Sequence, residues 1–151
     1  MNIFLDSTIF FDAIDPKKHI FTILQHAKND GHQLVTSLTV YGEIVWVCQR
    51  DKRPNDIHNI LELINQLNVQ CSIPNIQLRE CCKCLDKMDK QNWVGFSDRT
   101  HLAYSTAYGD DFFVTSEKNL LHFPLDSNKC RRCEKKTKII SPEELKTVLN
   151  S

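Results

Sequence analysis

The sequence predicts an α/β fold: a three-layer sandwich built on a central, mostly parallel sheet. Three observations lead there. Apolar runs at residues 2–5, 34–36, 112–114 and 138–140 have the length of buried strands. The longer segments between them repeat apolar residues at helical spacing. The two kinds alternate along the chain, which is the order of parallel strands joined by helices. With 151 residues, 41% of them hydrophobic, the chain makes one domain with its own core.

Residues 2–5 are too short for a helix and form the first strand, and Asp15-Pro16 breaks the chain after it. From Lys17 to Asn29, Ile20, Phe21, Ile23, Leu24 and Ala27 repeat at helical spacing, and Gly31 stops that helix. Leu34-Val35-Thr36 is the next strand, and Ser37 or Thr39 caps a helix that runs to about Arg50. Pro54 and Asn55 open another helix, with Ile57, Ile60, Leu61, Ile64 and Leu67 on one face. Val69 to Ile73 reads as a short strand ended by Pro74, and Ile76 to Met88 as helix. Lys90 to Ser97, with Trp93, is loop. Asp98 to Tyr108 is helix, with an acid in its first turn where negative charge is favoured. Gly109-Asp110 turns into strand Phe112 to Val114, and a short helix follows near Lys118 to Leu121. Residues 124–137 are polar and basic. Lys138 to Ile140 is the last strand, and Ser141-Pro142-Glu143-Glu144 opens the last helix, with a cap, a first-position proline and acids in the first turn.

Lys plus Arg and Asp plus Glu are 19 each, so the total charge argues against indiscriminate coating of nucleic acid and leaves room for a local basic groove. No apolar run approaches the ~20 residues that span a bilayer, and no charged leader precedes an apolar stretch. The expectation is a cytoplasmic protein without a membrane partner. Seven cysteines fit a secreted disulfide framework poorly, so metal binding or burial is expected.

Four acids stand where one site could collect them. Asp6 ends the first strand, Glu43 lies in the apolar helix after Ser37, Asp98 opens a helix, and Glu117 follows strand 112–114. Parallel sheets gather ligands beyond the carboxyl ends of their strands. Four carboxylates meeting there would repel one another unless a divalent cation joined them. The competing reading is that each acid is a helix cap or a solvated group.

In their order, these segments resemble the PIN-domain ribonucleases, the VapC-like toxins and their relatives. Phe4-Leu5-Asp6-Ser7-Thr8 is similar to the family's opening strand and acid, Thr36 through Glu43 to its second motif, and Asp98-Arg99-Thr100-His101-Leu102-Ala103 to its third. Thr115-Ser116-Glu117-Lys118-Asn119-Leu120 matches the fourth with departures: Glu117 and Asn119 stand where the pattern has Asp, and Leu120 where it has Phe. The resemblance implies a PIN-like sandwich spanning residues 1–151. It also implies Mg²⁺ or Mn²⁺, cleavage of RNA by an endoribonuclease, a possible antitoxin protein, and a homodimer. A non-catalytic PIN-like module that binds RNA or protein is the alternative, favoured by Glu117 and Asn119.

Both ions take oxygen ligands. Asp6 and Asp98 are the expected main ligands, Glu43 binds directly or orients a water, and Glu117 acts through water. Ser7, Thr8 and Thr115 are expected to hydrogen-bond around them. Arg99 and Lys118 flank two acids, where they either meet phosphates or stay ordinary surface charges. His101, at i+3 from Asp98, is weighed as a general base and assigned to packing or capping. Asp12 is assigned to solvent.

Cys81 and Cys84 form one Cys-x-x-Cys and Cys130 and Cys133 another, within the basic loop at about 126–137; together they suggest a structural zinc site. At about 100° per residue, Leu78, Cys82 and Leu85 share a face, which assigns Cys82 to the core and turns Cys81 and Cys84 outward. Cys48 and Cys71 are expected to be buried. The alternative to zinc is that the helix cysteines are plain core residues and the loop pair is free or oxidised.

Overall fold

The computed structural model describes residues 1–90, 93–125 and 137–151. Within them lie five strands: β1 (Asn2–Leu5), β2 (Gln33–Ser37), β3 (Gln70–Ser72), β4 (Phe112–Val114) and β5 (Lys138–Ile140). All four pairings are parallel, and the order across the sheet is β3-β2-β1-β4-β5. Ile3, Phe4 and Leu5 of the central strand are all fully buried. Successive strand residues point to opposite faces, so both faces of β1 are covered, as parallel sheets require. Phe4 and Phe113 are register partners on β1 and β4, and their rings stack with centroids 5.2 Å apart.

The helices are α1 (Ser7–Ala13), α2 (Ile20–Asn29), α3 (Leu38–Arg50), α4 (Pro54–Leu67), α5 (Leu78–Met88), α6 (Phe96–Tyr108), α7 (Lys118–Leu121) and α8 (Pro142–Leu149). The expected α/β sandwich is therefore present, with the caps read from the sequence. Ser37 accepts from the Val40 N–H at 3.3 Å, and Ser141 and Glu144 form a reciprocal capping box. Gly31 and Gly109 take positive φ (79° and 67°), the left-handed turn that ends α2 and α6. No helix among the described residues is long and apolar enough to cross a membrane.

Two expectations shift. Residues 7–13, for which the pattern predicts no element, form α1 and bury Ile9 and Phe10. Cys71, expected in the core, is exposed, because β3 is an edge strand paired only to β2.

Candidate metal centre

β1 sits in the middle of the sheet, with β2 on one side and β4 on the other. The chain leaves β1 towards one neighbour and later returns to the other, which opens a crevice at the strand's carboxyl end. Asp6 stands there, fully buried. Its backbone N–H donates to Val114 O of β4 at 3.1 Å. It occupies the N-cap of α1, yet its side chain makes no capping bond. Its carboxylate turns inward instead. Thr115 Oγ1 donates to Oδ2 at 2.7 Å and Thr8 Oγ1 at 3.4 Å, while Oδ1 lies 3.0 Å from His101 Nδ1. Thr115 follows β4 directly, so the two adjacent strand ends build one half of the site. Ser7, buried beside them, is not a hydrogen-bond partner of that carboxylate.

The other half comes from two helices. Glu43 is mid-helix in α3, which starts where β2 ends. Asp98 and His101 are one turn apart on α6 and share a face. Asp6, Glu43, Asp98 and His101 each bring one potential ligand atom to within 4.8 Å of all the others. His101 Nδ1 is 3.5 Å from Glu43 Oε2, inside ion-pair range, but the geometry is not that of a hydrogen bond, and Oε2 is buried without a hydrogen-bond partner. A buried carboxylate oxygen left in that state is costly unless a cation meets it. Three carboxylates and an imidazole suit a divalent ion.

Charge crowding leaves its mark on the titration of the site. Burial, then the negative charges of Asp6 and Glu43, push Asp98 up to about 6. Burial by itself would lower His101, but its bond to Asp6 and the charges of Asp6, Glu43 and Asp98 outweigh that and hold it above the ordinary histidine value. The same carboxylates that would attract a cation therefore favour the protonated form of His101.

The family model for the PIN domain matches residues 3–124. The chain belongs to the PIN-domain family. Its structure is similar to VapBC2 from Rickettsia felis bound to a DNA fragment from their promoter, with a TM-score of 0.70 and 14% identity over 93% of this chain and 98% of that one. It is also similar to VapBC-1 from nontypeable Haemophilus influenzae, with a TM-score of 0.62 and 17% identity over 95% and 99%. No curated protein matches it by sequence.

In this PIN domain Glu117 stands apart from the group of four. Its Oε1 accepts from the Asn119 N–H at 3.3 Å, so it caps its own short helix, α7, while its charge still reaches Asp98. Capping therefore accounts for Glu117 and not for Asp6. Asn119 donates from Nδ2 to Trp93 O at 3.3 Å, tying α7 to the loop ahead of α6. Arg99 does not face the site. Its guanidinium donates to Asp89 Oδ2 (2.7 Å), Asp86 Oδ1 (3.0 Å) and Val94 O (2.7 Å), and so it clamps α5 to α6. Lys118 is exposed. Asp12 is not simply solvated: it pairs with Lys18 and accepts from Ser116 Oγ at 2.6 Å.

Of the α5 cysteines, Cys82 packs against the core as expected, while Cys81 turns inward against expectation and Cys84 also packs against the core. Cys81 is 1% exposed and Cys82 and Cys84 are partly buried. Leu78, Cys81, Cys82 and Leu85 stand at i, i+3, i+4 and i+7, a stripe centred between the two candidate faces. Cys48 is buried as expected. Cys130, Cys133 and most of the basic loop lie outside the described residues.

The residue that sequence reasoning undervalued is His101. A signal was available: it shares a helix face with Asp98, and a histidine beside a carboxylate cluster has more to do than pack. Nothing local marked Arg99 as a clamp, because its partners come from a different helix and from a backbone carbonyl.

Proposed function

We propose that this PIN domain is a Mg²⁺- or Mn²⁺-dependent endoribonuclease that hydrolyses RNA phosphodiester bonds. The observation that carries the reading is the convergence of Asp6, Glu43, Asp98 and His101, with one carboxylate oxygen of Glu43 buried and unbonded. Asp6, Glu43 and Asp98 would hold the ion. Bound there, the ion would make a water more acidic and neutralise charge on the phosphate. Thr115 and Thr8 fix one oxygen of Asp6 and His101 fixes the other, which orients that carboxylate. Glu117, held by its cap, would act through water from the rim.

The partners in this reading are RNA, a second copy of the chain and, in a toxin role, an antitoxin protein. The last is supported by the two similar structures, whose names are those of VapBC pairs. A structural zinc ion on Cys81, Cys84, Cys130 and Cys133 belongs to the same reading. Its support is that Cys81 and Cys84 lie one turn apart on α5. Zinc well below one equivalent in the purified protein would remove it. A non-catalytic binding module is the second reading, favoured by Glu117 capping α7 and Asn119 facing Trp93.

Mn²⁺ titration and cleavage of single-stranded RNA, with and without EDTA, separate the two. The nuclease reading expects Mn²⁺ binding and EDTA-sensitive cleavage. It expects Asp6→Asn to keep the fold, lose cleavage and weaken the ion. Cleavage by Asp6→Asn equal to that of the unaltered protein would refute it.

A further inference from the structure

A cavity of about 230 Å³ lies between the loop ahead of α6 and the residues around α7, lined by Trp93, Val94, Asn119, His122 and Phe123 among others. Trp93 is 70% exposed, an unusual setting for so large an apolar ring, while its neighbour Val94 is 1% exposed. The segment is pinned. Trp93 N–H and Val94 N–H donate to the two oxygens of Asp89 at 2.9 and 3.1 Å. Arg99 holds Val94 O at 2.7 Å, and Asn119 Nδ2 holds Trp93 O at 3.3 Å. The exposed indole therefore stands on a fixed backbone.

Phe123 gives the cavity a buried apolar wall. His122 Nδ1 lies 2.7 Å from Lys118 O, to which its N–H donates, and this leaves Nε2 as the ring nitrogen free to meet a ligand. An aromatic face, an apolar wall and a few polar groups in a space smaller than a drug-sized site suit one flat heteroaromatic ring.

Two segments that line the cavity also run to the acidic cluster. Trp93 and Val94 lead directly into Gly95, where a methyl group would sit 3.9 Å from Asp98 Oδ2. On the other side, the Asn119 N–H bonds Glu117, whose charge reaches Asp98. A phosphate at the cluster would thus have an adjacent nucleotide at the cavity.

We propose that the Trp93 cavity is a nucleobase subsite: it takes one unpaired base of the RNA, stacked on the indole, beside the phosphate held at the acidic cluster. The proposal rests on the nuclease reading for that phosphate. It also gives Asn119 a role: an aspartate there would offer no N–H to Trp93 O, so the departure from the family pattern secures the loop that carries the ring.

The test uses the full chain and single-stranded oligoadenylate. Trp93→Ala should raise KM about tenfold, the scale of losing one stacked base, with kcat changed far less, and Trp93→Phe should restore most of it. In a Trp46→Phe background, where Trp93 is the sole tryptophan, the oligonucleotide should quench the fluorescence, with or without divalent ion. Cleavage with the same KM in Trp93→Ala and no quenching would overturn the subsite and leave the nuclease reading standing. Quenching without any cleavage would support the subsite and overturn the nuclease reading. Neither quenching nor cleavage would overturn both.

Discussion

His101 Nδ1 stands 3.0 Å from Asp6 Oδ1, with both side chains fully buried and the two residues 95 positions apart in the chain. The contact joins the end of the central strand to the face of α6, and it fixes the direction in which Asp6 presents its carboxylate. His101→Gln should weaken Mn²⁺ binding by roughly 10–100-fold, the usual effect of removing a group that orients a metal ligand. Calorimetric titration of the folded variant measures this, and unaltered affinity would remove His101 from the site.

Thr115→Val keeps the shape of a side chain whose hydroxyl lies 2.7 Å from Asp6 Oδ2. A bond to a charged group contributes about 1.5–3 kcal/mol, so the variant should lose roughly that much stability in urea unfolding. A loss within error would mean that Asp6 draws its support elsewhere.

The pH dependence has a defined sign. Asp98, pushed up to about 6, keeps a proton in the folded chain that an unfolded aspartate has already released. That contribution to stability is present at low pH and is lost as pH rises through about 6. His101, held above the ordinary value, acts the same way: its contribution is present below about pH 6.5 and is lost as pH rises through the folded pKa. Without divalent ion, these two groups make stability fall as pH rises from about 4 through about 6 for Asp98, and from about 6.5 upward for His101. A cation competes with both protons, so Mn²⁺ should raise Tm more at the alkaline end. An equal Mn²⁺ shift across the range, read by thermal unfolding with EDTA as the reference, would contradict the assignment.

Arg99 and Asp89 form a pair with side chains only 13% and 5% exposed. Burial alone would raise Asp89, but Arg99 and the N–H groups of Trp93 and Val94 outweigh it and hold the carboxyl below its ordinary value. Removing one partner of such a pair costs about 3–5 kcal/mol. Arg99→Ala should lose stability on that scale and shift the emission of Trp93 as its loop loosens. A change below about 1 kcal/mol would make the pair an ordinary surface bridge.

The layers of the fold were legible because strand-length apolar runs and helical repeats obey different periods. Ser37, Ser141 and Gly109 marked ends that the structure keeps. The seven residues of α1 were missed because Ile9, Phe10 and Phe11 run together without the spacing of a longer amphipathic helix. Cys81 was turned the wrong way because Cys81 and Cys82 both sit one turn from Leu78, and helical phase does not choose between adjacent faces. Asp6, Glu43 and Asp98 could be named from strand ends and helix starts. The part played by His101 depends on α6 packing beside β1, a relation that no local pattern encodes.

The bond between Asp6 and Thr115 spans 109 positions, and β1 lies in register with β4 across a similar interval. During translation, β1 must wait until β4 and Thr115 have been synthesised before that side of the crevice exists. Non-local pairing of this kind delays folding until distant parts have met. A nascent chain that ends before residue 115 lacks the hydroxyl that steadies Asp6, so the acidic cluster takes its shape only after that downstream segment has been made.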